Sequence, residues 1–235
     1  MRRRACGQRE SWSLLVCTLA VVALALPLAG CDDDDLFDPF DVTGNGRIRS
    51  EFRDVRNFDG VALLGVGDLE IVQSGQESLI ITADENLLDR LSSDVFGGEL
   101  VLSVDSNREI LPSRTIEYRV EAIDLVSVAL VGVGDVDVRS VDTAELFIDL
   151  AGIGDVDVRG VADFQEIRIT GVGDYDAPNL ASAEVDVDLT GPTRVTVRVR
   201  DRLTGTVGVN SELEYFGDPI VDVDGGGRVR RLGPF

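Results

Sequence analysis

The chain has 235 residues, 22 of them basic and 43 acidic, for a formal net charge of −21. Every basic residue is Arg, and the absence of Lys and His excludes Ser-His-Asp and Cys-His catalysis, His-ligated zinc, Schiff-base chemistry and a P-loop. A chain this acidic also repels a polyphosphate backbone, so no nucleic-acid partner is expected.

The first predicted element is an export signal. Arg2, Arg3 and Arg4 form a basic start, residues 14–30 are almost wholly apolar, and the stretch ends in Leu28-Ala29-Gly30-Cys31. A basic start, a short apolar core and small residues before a cut describe a signal peptide. The rival is a transmembrane anchor, since seventeen apolar residues lie at the short edge of a bilayer span. The tetrapeptide resembles a bacterial lipobox. That resemblance implies acylation of the Cys31 thiol, cleavage between Gly30 and Cys31, and acylation of the new amine. Residues 1–30 would then be the signal and Cys31 the lipidated first residue of the mature protein. Several acyl chains anchor a protein stably, where one binds only marginally. Cys6 and Cys17 leave with the signal, so no disulfide is expected. The removed segment carries four Arg and one Glu, which takes the charge from −21 to −24. Anionic headgroups repel such a body, so lipid rather than a basic patch must join it to the membrane.

Next comes a predicted acidic tether, residues 31–42, which opens with Asp32-Asp33-Asp34-Asp35. Four adjacent carboxylates repel one another and extend the chain. An acidic residue after a lipidated Cys resembles an inner-membrane retention signal in some bacteria, and an acidic run there resembles a surface-export signal in others. The expected location is the bacterial cell envelope, lipid-anchored, facing either the periplasm or the exterior.

Residues 43–235 form the predicted body. Residues 83–91 are predicted to make about two helical turns with Asp84 as N-cap. From residue 126 the chain repeats itself. Leu130-Val131-Gly132-Val133-Gly134-Asp135-Val136-Asp137-Val138-Arg139 is followed by Leu150-Ala151-Gly152-Ile153-Gly154-Asp155-Val156-Asp157-Val158-Arg159. A third copy holds Gly171, Gly173 and Asp174, a degenerate one reads Gly191-Pro192-Thr193-Arg194, and a fifth has Gly208 with Asn210 in place of the second Gly. The leading glycines step by 20, 19, 20 and 17 residues, and one early copy, Gly65-Val66-Gly67-Asp68, stands alone.

Apolar residues alternate with polar ones on both sides of each Gly pair, the period of strands with one buried face. Each repeat therefore reads strand, Gly-x-Gly-Asp turn, strand, short connection. Glycine supplies positive φ or close backbone approach at the turn, and Asn210 is the next-best left-handed residue. Two all-β architectures fit: a parallel β-solenoid with coils of about 20 residues, or an antiparallel β-sandwich. The side-chain match between repeats favours the solenoid. Val136, Val156, Tyr175 and Val195 would stack as one inner column, and Val138, Val158, Ala177 and Val197 as another. Residues 126–230 would give about five coils.

These features, with Gly44-Asn45-Gly46, Arg53, Phe58, residues 83–88 and the closing Tyr215-Phe216-Gly217-Asp218-Pro219, resemble the family called putative auto-transporter adhesin, head GIN domain, over about residues 43–232. The family's typical residue between the two glycines is Ser, where this chain has Val or Ile. The resemblance implies a right-handed β-helix-like domain in the bacterial envelope. It carries over no catalytic residues.

Candidate chemistry is sparse. Gly132-Val133-Gly134 resembles a dinucleotide-binding turn but lacks the third Gly and the following helix. The calcium repeat of secreted toxins fails in registry, because Val136 stands where Asp is required. Stacking would still place Asp135, Asp155 and Asp174 in one column and Asp137, Asp157 and Asp176 in another. Such columns invite a hard cation, Arg139 and Arg159 as counter-charges, or backbone capping. They also supply the carboxylate spacings of a glycoside hydrolase, but without the distinct environments an acid–base pair needs. The expectation is a non-enzymatic binding or structural module, adhesin-like, with no cofactor and no metal, and with an envelope protein or glycan as its partner. The alternatives are a polysaccharide-processing β-helix enzyme and an envelope assembly or stress factor.

Overall fold

The computed structural model describes residues 42–104 and 109–235. Cys31, the signal and all but the last residue of the tether lie outside them. The described residues form a β-solenoid of about five turns, with coils about 20 residues apart. The antiparallel sandwich is excluded, because the repeats pair in parallel, each with the next.

Three long strands carry most of the repeat: Val136–Leu150, Val156–Ile169 and Tyr175–Leu189. Arg194–Val207 continues the stack. Each begins on one face of the solenoid, bends, and ends on another. The first bend is a register shift between Val138 and Val141, with Ser140 at φ 61°. Later shifts, such as that between Ala177 and Ala181, absorb the unequal repeat lengths away from the corners. The strand end approaching a corner lies on what we call the first face, and the strand leaving it on the second.

Inward positions stack in the expected columns. Val136, Val156, Tyr175 and Val195 are in register, as are Val138, Val158, Ala177 and Val197 where the ladder is regular, and all are buried. On the first face the inner column runs Leu63, Leu130, Leu150, Ile169, Leu189, Val207. Each coil buries one layer of aliphatic side chain against the next, which no single coil could do alone. Two inner positions, Gln165 and Ser182, break the apolar rule together. Gln165 aligns with Leu146 and Val185, yet it is fully buried. It accepts a hydrogen bond from the Tyr175 hydroxyl at 2.9 Å and donates to Ser182 Oγ, so its polarity is satisfied internally. Burial raises the Tyr175 pKa well above the ordinary phenol value.

The early copy does not stand alone. Gly60–Leu63 pairs with Ser127–Leu130, and Asp68–Gln73 pairs with the start of Val136–Leu150. Residues 60–73 are therefore a coil directly beneath the repeat. Glu99–Val104 and Glu117–Ala122 then add to the other side of that coil. Spatial order departs from chain order: the chain lays down one coil, places the next on its outer side, and returns to continue the stack. Antiparallel strands close this end. Leu91–Phe96 covers Glu99–Val104, and Ser78–Asp84 with Ile48–Arg53 covers Glu117–Ala122.

The predicted helix at 83–91 is not present. Ser78–Asp84 is a strand, and only Leu88–Arg90 makes a 3-10 turn, capped by no side chain. Asp84 is fully buried instead. It accepts from Gly46 N at 2.7 Å, Ser113 N at 2.8 Å and Ser113 Oγ at 2.6 Å. Burial alone would raise its pKa, but the bonds from Ser113 and Gly46 outweigh that and hold it below the ordinary aspartate value. Three donors converging on one carboxylate offer more than a cap would, so tertiary context overrides the local helix signal.

Candidate functional site

The Gly-x-Gly-Asp corners stack directly on one another. Val133 N donates to Gly65 O, Ile153 N to Gly132 O and Val172 N to Gly152 O, each at 3.0 Å. The two glycines answer different needs. A Cβ on Gly132, Gly152 or Gly171 would fall well inside contact distance of a carbonyl oxygen in the coil beneath. Gly134, Gly154 and Gly173 meet the same obstruction and also sit at φ +149°, +147° and +149°, where L side chains are strained. In the degenerate copy Gly191 keeps the close approach. Thr193 replaces the second Gly and donates Oγ1 to Gly173 O at 2.6 Å. The fifth corner differs again: Ser211 N bonds Gly208 O at 3.0 Å. Asn210 is not among the residues with positive φ, so it does not act as a left-handed substitute for Gly. The hydrogen-bonded turn makes that conformation unnecessary.

The corner Asp residues form a ladder. Asp68 Oδ1 accepts from Asp135 N at 3.2 Å, Asp135 Oδ1 from Asp155 N at 3.0 Å, and Asp155 Oδ1 from Asp174 N at 2.8 Å. Asp174 Oδ1 accepts from Arg194 N at 2.9 Å, and its Oδ2 faces the Arg194 guanidinium at 3.4 Å. Each carboxylate thus ties its coil to the next, and Arg194 ends the run with a counter-charge. Asp at the third position after the first Gly is explained by this bond across coils.

The second face carries the outer column Glu70, Asp137, Asp157 and Asp176. Arg139 bridges it, with Nη1 2.7 Å from Glu70 and Nε 3.0 Å from Asp137. Arg119 reaches Glu70 at 3.1 Å, and Arg159 approaches Asp157 at 3.8 Å. The Asp157 pKa is raised, chiefly by burial. Arg159 opposes the rise, and Asp176, Asp137 and Asp155 add to it. A shallow open trough lies over Asp68, Glu70, Arg119, Asp137 and Arg139. Among the described residues no group of three or more carboxylate, Cys or His side chains is placed to hold a metal ion.

The residue between the two glycines was not singled out in the sequence as a surface feature. Its backbone pairs along the corner, so Val66, Val133, Ile153 and Val172 form one column; Val66 is partly buried against the core, whereas the side chains of the other three point outward. Val133, Ile153 and Val172 are 50%, 57% and 48% exposed. Beside them Leu64 and Val131 are exposed as well. The corner is therefore an aliphatic ridge flanked by the Asp ladder. No helix among the described residues is long and apolar enough to cross a membrane.

A family profile described as putative auto-transporter adhesin, head GIN domain, matches residues 57–219. The chain is similar in fold to the crystal structure of a putative adhesin from Bacteroides fragilis NCTC 9343, at TM-score 0.68 and 22% identity, covering 81% of this chain and 100% of that one. It is also similar to a putative adhesin from Parabacteroides merdae ATCC 43184, at TM-score 0.51 and 19% identity, covering 82% of this chain and 99% of the other. No curated protein sequence matches it.

Proposed function

The chain belongs to the family of putative auto-transporter adhesins with a head GIN domain, and from that premise we propose that it is a lipid-anchored envelope protein whose solenoid binds an external partner through its corner ridge. Cys31 carries the lipid, residues 31–42 are the tether, and residues 43–235 present the ridge. The observation that supports the binding role is the straight column of half-exposed Val133, Ile153 and Val172. The core does not use these side chains, and a contiguous exposed aliphatic strip is a recurrent mark of an interaction surface. The acidic ladder beside it disfavours an anionic partner and suits an apolar or cationic surface.

A photoreactive amino acid at position 153, in cells bearing their own envelope, should give a discrete crosslinked product. The same residue at position 161, where Val161 is 49% exposed but off the corner, should not. Identical products from both positions, or none from 153, would refute the ridge as the binding surface. Intact-mass analysis of membrane fractions tests the anchor: an acylated Cys31 with residues 1–30 removed is expected, and Cys31→Ala should leave an uncut precursor.

A further inference from the structure

The two ends of the solenoid are finished differently. Antiparallel strands cover the first end, whereas the last strands, Ile220–Gly225 on the first face and Arg228–Gly233 on the second, pair on one side only among the described residues. Among the described residues no coil lies above their inward side chains. Val221 is 41% and Val229 39% exposed, against 0% for Leu203 and Leu213 one coil below. A solenoid end with bare strand edges and open core normally needs a cap.

The outward side chains of the two edges carry opposite charge. Asp222 and Asp224 stand on the first face, in register with Thr204 and Thr206, and neither has a salt-bridge partner among the described residues. Arg228 and Arg230 stand on the second face, in register with Glu212 and Glu214. On this face Arg194 sits between an acid of the coil beneath it, Asp174, and one of the coil above it, Glu212. Arg228 and Arg230 have acid beneath them only, Glu212 at 3.7 Å and Glu214 at 2.8 Å. Among the described residues no acidic rung stands above them.

We propose that a second copy of this chain supplies that rung, in a twofold end-to-end dimer. The first-face strand runs toward the last corner and the second-face strand away from it. A twofold axis through that corner, at Gly226, lays each first-face edge antiparallel on the partner's second-face edge. Equal distances from Gly226 put Asp222 opposite Arg230 and Asp224 opposite Arg228. The same register places inward Val223 opposite inward Val229 and sets Val221 opposite Arg231. Charge, side-chain direction and corner position agree on one register. The other twofold arrangement, each edge on its own copy, sets Asp on Asp and Arg on Arg and is disfavoured.

The test is sedimentation equilibrium of the full chain in non-ionic detergent, taken to about 100 μM, well above the micromolar constants of weak specific interfaces. A dimer is expected. Asp222→Arg with Asp224→Arg should weaken it by ~100-fold or more, as should Arg228→Asp with Arg230→Asp, because each places like charges opposite one another. An equimolar mixture of the two variants should dimerise again, since every contact is then complementary. Amides of residues 220–233 in the unmodified chain should exchange more slowly as concentration rises, a readout that needs no variant. A chain that stays monomeric throughout, an oligomer whose mass neither reversal changes, or a mixture that fails to reassociate would overturn the proposal.

Discussion

The coils from residue 126 onward and the region before them obey different rules. In the repeat each coil after the first rests on the one preceding it in sequence, so one pattern of residues specifies both a strand and its neighbour. In residues 42–125 the stacking order departs from chain order, and the edge is closed by antiparallel strands and a buried charge. Stability in the first region comes from many equivalent layers. In the second it rests on contacts that occur once. A perturbation in the repeat should therefore be felt in proportion to the layer it breaks, and one in the cap should open the cap first.

The largest effect expected is from Leu150→Asp. Leu150 is fully buried in the inner column between Leu130 and Ile169, so the change leaves an unpaired charge between coils and should cost more than ~4 kcal/mol. Phe147, three residues earlier on the same strand, is only partly buried, and Phe147→Asp should cost about 1 kcal/mol. Equal losses in urea titrations would mean that the strand register is wrong.

Next is the corner. Gly154→Ala should cost about 2–5 kcal/mol, because the new methyl meets Gly134 O and the backbone sits at φ +147°, combining overpacking with strain. Gly75 has φ +79° but nothing within 4 Å, so Gly75→Ala should cost only about 1–2 kcal/mol. Matching melting temperatures would remove close approach as the reason for the repeated glycine.

These two sites also show what was legible in the sequence. Alternation around Leu150 and the fixed step between Gly132, Gly152 and Gly171 encode stacking directly, because in a solenoid the neighbour in space is also one period away in sequence. The corner Asp column could be placed by the same logic, although its bond to the next amide could not. The cap was opaque. Nothing local marks Asp84 as a carboxylate that will meet Gly46 and Ser113, and its own segment carries helix-like residues. Nor could the place of residues 60–73 be read, because the coil laid on their outer side, 99–122, lacks the Gly pair. The corner ridge was visible as Val133, Ile153 and Val172, yet their outward direction depends on the corner's own parallel pairing.

A third effect sharpens the contrast from the cap side. Asp84→Ala leaves the amides of Gly46 and Ser113 without an acceptor and should cost about 2–4 kcal/mol. Hydrogen exchange should show the antiparallel strands opening while the amides of Val156–Ile169 stay protected. The pH dependence has two limbs. Asp84 has a lowered pKa, so its contribution is present above the unfolded value, near 3.9, and is lost as pH falls through the folded one. Glu99 and Asp149 have raised values, each chiefly through burial; Asp149 raises Glu99 further, whereas Arg168 partly offsets the rise at Asp149. Their penalty is present above their folded pKa and relieved as pH falls toward the unfolded values. The melting temperature should therefore rise slightly as pH falls through the raised folded values toward the unfolded ones, about 4, and then fall as pH drops below these. Asp84→Ala should flatten the acid limb and Glu99→Gln the upper one.

The smallest effect expected is that of calcium, and it decides what the Asp ladder is for. A cation bound to the native state alone stabilises by RT ln(1 + [L]/Kd), about 2.7 kcal/mol at a hundredfold excess over Kd. In a domain of this size that moves the melting temperature by roughly 5–10 °C. The Oδ1 atoms of Asp68, Asp135, Asp155 and Asp174 are already committed to amides of the following coil, so the ladder has an occupant without a metal. Melting in millimolar calcium and in chelator should agree to within about 1 °C. Changing Asp135, Asp155 and Asp174 together to Asn separates the two roles. Asn keeps the Oδ1 acceptor and loses the charge, so a hydrogen-bond ladder should survive with little loss, whereas a cation column would not. A large calcium-dependent shift, abolished in that triple variant, would make the corners a metal-bound surface and set the repeat apart from the cap by its chemistry as well as its stacking.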